Sequence, residues 1–448
     1  MEGVDVSSLN GALQFLRYLI KWHSSPTGNA LDCMPPSKAD AHRSCISQLL
    51  RIQPHHRSSR LSLVGDLMWL RDSWHDWLGT SFANAIARDA GNFVMNVEVP
   101  LVDPAEFRHS FLSWLPPDKV RYEAPSSILD SLLNSLSPKS QCAASLANNH
   151  AADRGPNSLF DTANVMASLG IACTGAPSCG YSVASFTCSN GARVCIVGAG
   201  WGTNFLGEGK AAGMACLGSL ASVSRRFGDD ASLADAIDIS ELENGLAQAR
   251  EQEECSLAVA SVHWGHEFEL YPTEVQRALA RRIVQLGFDI VLGHHSHVTQ
   301  PAEVLCVNGY KGESASEKEA LQGVPNDANI LCSSRPEARK ALVLYSLGNF
   351  ASTMYGYQQR AATMLTLLIG EEKGEWGIDA LHFGYNRCSF WFGSLPVIGR
   401  KRELVLAAVR SRQGEHEQSK ADAQEEWVNL SKVEREAVQV SEHQLVAR

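Results

Sequence analysis

The sequence predicts a layered α/β fold in which a sheet core is covered by helices. Short apolar runs of four to seven residues recur along the chain, and segments of helical period lie between them. Apolar runs without polar alternation mark strands buried on both faces, and their alternation with amphipathic helices marks α/β layering. Composition agrees: 44% hydrophobic and 20% charged residues, with 35 Gly and 17 Pro in 448 residues, can bury a large core and exclude a disordered or fibrous chain. That length fits two or three domains of ~150 residues, or one large α/β domain with extensions.

Residues 1–57 open with an amphipathic helix candidate (Leu9, Leu13, Phe15, Leu16, Leu19, Ile20) and then become a polar linker with Pro26, Pro35, Pro36 and Pro54. The main domain is expected over 58–395. Its strand candidates are LSLVG, FVMNVEV, CAASLA, RVCIVGA, LAVASVHW, FDIVLG and ALVLYSLG, with helices expected over 160–169, 233–253 and 274–286. A segment at about 309–340, rich in Glu, Ser, Lys, Asn and Pro, reads as a surface insertion. Residues 396–448 are charge-dense with helical period (Leu404, Val405, Ala408, Val409, then Trp427, Leu430, Val433), which predicts a C-terminal helical extension.

Charge narrows the partners. With 39 basic against 49 acidic side chains, the net charge of -10 offers no general attraction to nucleic acid or to anionic lipid. The 12 Cys contain no C-x-x-C pair, so neither a zinc ribbon nor a redox dithiol is signalled, and free core thiols are expected. Glu2 and Asp5 replace a basic n-region, Arg17 interrupts the first apolar stretch, and no apolar run reaches the ~18 residues of a spanning helix. A cytoplasmic location is the expectation.

The strongest chemical signal is Gly293-His294-His295-Ser296-His297, directly after the apolar run 288–292. Loops at the carboxyl ends of strands are where α/β proteins collect ligands, because the sheet fixes the loop's ends. Other strand ends repeat the pattern: Asp66 after LSLVG, Glu98 after NV, Asn148-Asn149-His150 after SLA, and His263 after LAVASV. Each alone reads as a turn or a cap. Together, the oxygens of Asp66, Glu98 and Asn149 and the imidazoles of His263, His295 and His297 suit divalent Mn, Zn or Fe, and are enough for two ions. Two such ions need a bridging carboxylate, for which Glu98 is the candidate.

Several blocks also resemble the bacterial capsule-synthesis CapA family, also called poly-gamma-glutamate synthesis proteins. These are LVGDLMWL, NVEVPLV, SLANNHAADRG, SVHWGHEFELYPTEVQ, GFDIVLGHHSHVTQPAEVL and LYSLGNF, in that order over about 61–350. The resemblance implies a calcineurin-like metallophosphatase fold, a β-sandwich layered with helices around a di-metal site. Carried over by position, Asp66, Glu98, Asn149, His263, His295 and His297 become metal ligands. His150 becomes the general acid, and Asp153 orients it.

Asn148 neighbours these residues. His294 has three readings: a support for the ligands, a substrate contact or a ligand itself. His266 and Glu267 read as partners holding His263 in one tautomer, or, for His266, as surface. Arg154 reads as an anion clamp or as an exposed ion pair. Two departures stand out. Met68 occupies the place where the wider superfamily commonly has a His, so one ion can have fewer ligands, and no membrane anchor or secretion signal is visible. Gly198–Gly202 and Gly207–Lys210 imitate phosphate loops, but Asn204 and Ala211 break the Walker pattern, and both are assigned to loops.

Three functions are compatible with this site: a metal-dependent hydrolase of a phosphoric ester, a factor in making an anionic polymer such as poly-gamma-glutamate, or a metal-binding scaffold. The first two imply a small anionic substrate or an anionic polymer as partner.

Overall fold

The computed structural model describes residues 58–68, 91–107, 122–204 with breaks at 135 and 137–139, 214–217, 231–307, and 339–387 with breaks at 353, 355–358, 360 and 373–374, together with 405–407. The expected N-terminal helix and linker, the Gly207–Lys210 segment and nearly all of the expected insertion lie outside the described residues.

In chain order the strands are β1 (Ser59–Met68), β2 (Asn92–Val97), β3 (Leu101–Val102), β4 (Ala124–Pro125), β5 (Cys142–Ser145), β6 (Ala172–Thr174), β7 (Val183–Thr187), β8 (Arg193–Gly200), β9 (Leu257–His263), β10 (Ile290–His294), β11 (Ala302–Val307), β12 (Arg339–Leu344), β13 (Ala351–Ser352), β14 (Ala361–Glu372), β15 (Glu375–Arg387) and β16 (Val405–Ala407). The α-helices are α1 (Ser127–Leu133), α2 (Ser158–Ser168), α3 (Ser240–Gln252) and α4 (Glu274–Leu286). All seven strand candidates fall on strands: β1, β2, β5, β8, β9, β10 and β12.

Two large sheets form the centre. The first runs β16-β15-β14-β1-β2-β5-β6, with β13 beside the end of β1; the second runs β11-β12-β10-β9-β8-β7. In the first, β1, β2, β5 and β6 are parallel to one another; in the second, β8, β9, β10 and β12 are. Antiparallel strands close the edges, with β14 on β1, β11 on β12 and β7 on β8.

The side chains sort into three apolar clusters, which define four layers. Leu61, Leu63, Val94 and Ala143 of the first sheet meet Ile196, Val259, Ile290, Leu292, Leu342 and Leu344 of the second between the sheets. The outer face of the first sheet buries Phe93 and Met95 under Ile128 and Leu132 of α1 and Leu159 and Met166 of α2. The outer face of the second buries Ala260, Val262 and Val291 under Leu242 and Leu246 of α3 and Leu279 and Ile283 of α4. Strands buried on both faces explain the unbroken apolar runs, and each fully buried Leu, Ile or Phe contributes about 1.5–3 kcal/mol. The sequence expectation of a β-sandwich between helices matches this arrangement.

Helix α4 coincides with its predicted span because its ends are written locally. Thr273 and Gln276 form a capping box at the start, and Gly287 closes the end at φ 116°. The helix expected over 233–253 is corrected to two pieces, a 3₁₀ turn at Ala231–Ala236 and α3. Between them the Asp238 carboxylate accepts from Ser240 N at 2.9 Å, a local bond that competes with helix continuation. Gly198–Gly200, assigned to a loop from sequence, belong to β8 and pair in parallel with Ser261–His263. Within the expected C-terminal helical extension, Val405–Ala407 are extended and pair with β15; the other residues lie outside the described ones.

Cys142, Cys173, Cys179, Cys188, Cys195, Cys216 and Cys255 are free thiols. Burial pushes Cys142 and Cys173 up to about 12, which keeps both protonated and inert. Among the described residues, no helix is long and apolar enough to cross a membrane.

Candidate metal centre

Because the central strands of each sheet are parallel, their carboxyl ends reach one edge of the sandwich. β1 ends around Asp66, β2 delivers Glu98, and the turn after β5 delivers Asn148, Asn149 and His150. From the facing sheet β9 ends at His263 and β10 at His294, which stand opposite each other in register. Glycine permits the tight approach at two points. A Cβ on Gly65 would lie 1.7 Å from Gly348 O, and one on Gly293 would lie 2.1 Å from Tyr345 O and 2.5 Å from Trp264 Nε1.

The structure brings these side chains close together at that edge. Nε2 of His263 lies 2.8 Å from Asn149 Oδ1 and 3.4 Å from Glu98 Oε1. His297 places Nε2 3.7 Å from Glu98 Oε1 and Nδ1 3.7 Å from Asp66 Oδ2. The rings of His263 and His295 are 4.6 Å apart, and the His295 backbone N–H donates to Asp66 Oδ2 at 3.2 Å. His295 and His297 hold φ at 89° and 58°, a left-handed backbone that non-glycine residues rarely adopt. Strain of this kind persists where the surroundings over-determine it, as at ligand sites.

The donors group into three overlapping sets whose ligand atoms lie within 4.8 Å of one another: Asp66, Glu98 and His297; Glu98, His263 and His295; and Glu267, His295 and His297. Glu98 belongs to the first two, as a bridging carboxylate would.

Several donors are also left over. Both Glu98 carboxylate oxygens, His295 Nδ1 and His297 Nε2 are buried without a hydrogen-bond partner. Such groups cost about 1–3 kcal/mol each when nothing satisfies them, and more when charged. Burial and the neighbouring charge of Asp66 push the Glu98 carboxyl well above its ordinary value, so its ionised form calls for a cation. Burial likewise holds His263 well below 6.5 and His295 at about 3, keeping both imidazoles neutral, the form that binds metal. The residues present therefore fit divalent ions.

The supporting contacts fix donor orientation. Asn349 Nδ2 donates to Gln359 O at 2.8 Å, which aims Asn349 Oδ1 at His297 Nδ1, 2.9 Å away. His297 thus carries its proton on Nδ1 and leaves the Nε2 lone pair facing the site. Asn96 Nδ2 donates to Asp66 Oδ1 at 2.8 Å and approaches His263 Nδ1 at 3.4 Å; Asn148 Nδ2 donates to Val97 O at 2.8 Å and to Asn96 Oδ1 at 3.3 Å. His294 reaches Asp66 Oδ1 with Nδ1 at 2.9 Å and Ser261 Oγ with Nε2 at 3.1 Å, contacts that suit the support among its three readings. Burial alone would raise the Asp66 carboxyl, but hydrogen bonding and charge from His294, then His297, bring it to about 2.

His150 and Asp153 form a second, adjacent pair. Their Nδ1 and Oδ2 atoms are 2.8 Å apart, both side chains are fully buried, and Tyr122 N also donates to Asp153 Oδ2 at 2.9 Å. His150 Nε2 is buried and unpartnered. Arg154 pairs with Glu123 at 3.4 Å and is 39% exposed, the ordinary of its two readings. The ring of His266 meets Trp201 edge-on at 6.5 Å, and the two nitrogens of His263 face Asn96 and Asn149. Sequence reasoning did not assign Asn96, Tyr122, Ser261 or Asn349 to the site. Asn96 and Asn349 stand inside the motifs NVEV and LYSLGNF, whereas Tyr122 carries no signal of its own.

Known proteins agree with the motifs. Over 164 residues the chain is 31% identical to the PGA biosynthesis protein CapA of Bacillus subtilis (strain 168), covering 35% of this chain and 37% of that one. Over 48 residues it is 46% identical to the capsule biosynthesis protein CapA of Bacillus anthracis, covering 11% and 12% respectively. The matched stretches thus span well under half of either relative. Among solved structures, the calcineurin-like phosphoesterase YfkN of Bacillus subtilis is a loose likeness, at a TM-score of 0.32 and 12% identity, covering 85% of this chain and 99% of that one. The family described as bacterial capsule synthesis protein PGA_cap matches residues 60–354, well over half of the sequence, and the chain belongs to that family.

Proposed function

We propose that the chain is a metal-dependent hydrolase of a phosphoric ester, with Asp66, Glu98, Asn149, His263, His295 and His297 holding two divalent ions of the Mn, Zn or Fe kind. The observation that carries this reading is the open set of buried donors: Glu98, His295 and His297 keep buried atoms with no hydrogen-bond partner, facing one another at the strand ends. A structural site saturates its ion, whereas a catalytic one keeps positions free. Divalent ions there would supply Lewis acidity toward a phosphoryl oxygen and make a water more acidic.

The chain's own groups do the rest. With Nδ1–H given to Asp153, His150 turns Nε2 toward the site, and a proton carried there would be available to a leaving oxygen. Tyr122, 4.9 Å from His150 between ring centroids, limits the tilt of that ring. Asn148 accepts from His150 N at 3.1 Å and sets the turn that aims both Asn149 and His150.

A second reading keeps the same site but uses it on an anionic polymer, as a capsule or poly-gamma-glutamate biosynthesis factor; the family and its Bacillus relatives favour it. The two separate in one assay. Aryl phosphate mono- and diesters are offered to the purified chain with Mn²⁺, beside Asp66→Ala and His295→Ala. Hydrolysis by the parent that both variants lose supports the ester reading; bound metal with every ester inert moves the weight to the polymer.

A further inference from the structure

One donor is not accounted for by that ligand set. Asp66, Glu98 and His297 offer three side chains to one ion, while Glu98, His263, His295 and Asn149 offer four to the other. On β1 nothing further is available: Met68, two residues beyond Asp66, is 1% exposed and packed in the apolar cluster beneath α1 and α2.

Glu267 stands beside two of these imidazoles. It follows His263 by four residues, and its carboxylate lies within 4.8 Å of the ring nitrogens of both His295 and His297. Its position is imposed by the fold. Gly265 and Phe268 both hold positive φ, 81° and 65°, so the chain turns sharply on each side of Glu267. Phe268 N donates to Ser296 O at 2.7 Å, and the Phe268 ring lies on His297 at 5.9 Å. These contacts tie the Glu267 segment to the histidine loop through backbone and ring at once. A left-handed, non-glycine Phe is a strained way to build a turn, and it brings the Glu267 carboxylate to the imidazoles. Glu98 is fully buried and Glu267 only partly, so the second carboxylate enters from the open side.

We infer that Glu267 is a direct ligand of an ion that it shares with His295 and His297, an inference that rests on the metal reading above. Its carboxylate adds a hard oxygen donor beside two imidazoles, which favours Mn²⁺ over softer ions.

The test counts ions and reads their coordination without using turnover. Full-length parent and Glu267→Gln are titrated with Mn²⁺ by calorimetry, then saturated with Co²⁺ and compared by visible absorption, after melts in chelator confirm equal folding. The expected result is that one of two ions is weakened in Glu267→Gln by more than roughly 100-fold, beyond the 10–100-fold typical of residues that only support a ligand, and that the Co²⁺ spectrum changes. Parent-like affinity and spectrum would overturn the inference, as would weaker binding with an unchanged spectrum at saturation, which marks a charge effect only. Glu267→Asp keeps the charge and withdraws the oxygens by one methylene; a changed spectrum there supports ligation, and parent-like binding and spectrum overturn it. A parent chain that takes up no Mn²⁺ would remove the metal reading itself, and with it this ligand.

Discussion

His150 shows how much a single side chain here depends on its neighbours. Its Nδ1 is held by Asp153, its backbone by Asn148 and its ring by Tyr122, while Nε2 stays unpartnered in a fully buried position. A buried nitrogen without a partner is open to a substrate atom. His150→Asn is therefore expected to retain Mn²⁺ binding while ester turnover falls by roughly 10²–10⁴, the usual contribution of a general acid. Steady-state assays beside a Mn²⁺ titration check it; an unchanged rate would take His150 out of the chemistry. The family resemblance singled out His150, with Asp153 expected to orient it, and the two stand 2.8 Å apart. Tyr122 and Asn349 were not legible, because each acts across the fold on a residue that lies 28 or more positions away in the chain.

At the scale of elements, β12 and α4 carry a polar contact inside an otherwise apolar layer. Tyr345, just past β12, donates to Glu303 of β11 in a short hydrogen bond, with Arg277 of α4 3.9 Å from the same carboxylate. Burial, then the Glu303 charge, pushes the Tyr345 hydroxyl well above its ordinary 10.0. The sign follows from linkage: the folded state holds that proton more tightly than the unfolded chain, so its stabilisation is complete below pH ~10 and is lost as pH rises beyond. Denaturant melts from about pH 8 to 11 should show stability falling on the alkaline side. Tyr345→Phe should be less stable at pH ~8, because Glu303 loses its donor, yet show a flatter alkaline slope. An identical slope in both would assign the loss to other groups. Strands and α4 were readable in the sequence since their signals are local: apolar runs, a Thr273–Gln276 box and a terminal Gly287. The break before α3 was not, because a single Asp238 side-chain bond outweighed the helical period around it.

For the whole molecule, the notable fact is that the candidate ligands come from both sheets. Asp66 lies in β1 and Glu98 and Asn149 follow strands of the first, while His263 ends β9 and His295 and His297 follow β10 of the second. Ions bound among them would tie the sandwich together at one edge. An ion that binds only the folded chain stabilises it by about 2.7 kcal/mol at a hundred times its dissociation constant, so Mn²⁺ should raise the melting temperature. Asp66→Ala should lose most of that rise, and calorimetry in chelator and in Mn²⁺ measures both. A melting point indifferent to Mn²⁺ in the parent would argue against ions at this edge.

The amino-acid order alone determined the layered α/β class, seven of the strands and the candidate donors, because buried parallel strands and polar strand ends leave their marks within a few residues of chain. Only the tertiary structure decided which donor atoms lie within reach of one another, that His294 reaches Asp66, and that Glu267 stands beside His295 and His297. Those relations depend on the register of β9 against β10 and on how closely the two sheets face each other, distances that no short stretch of sequence encodes.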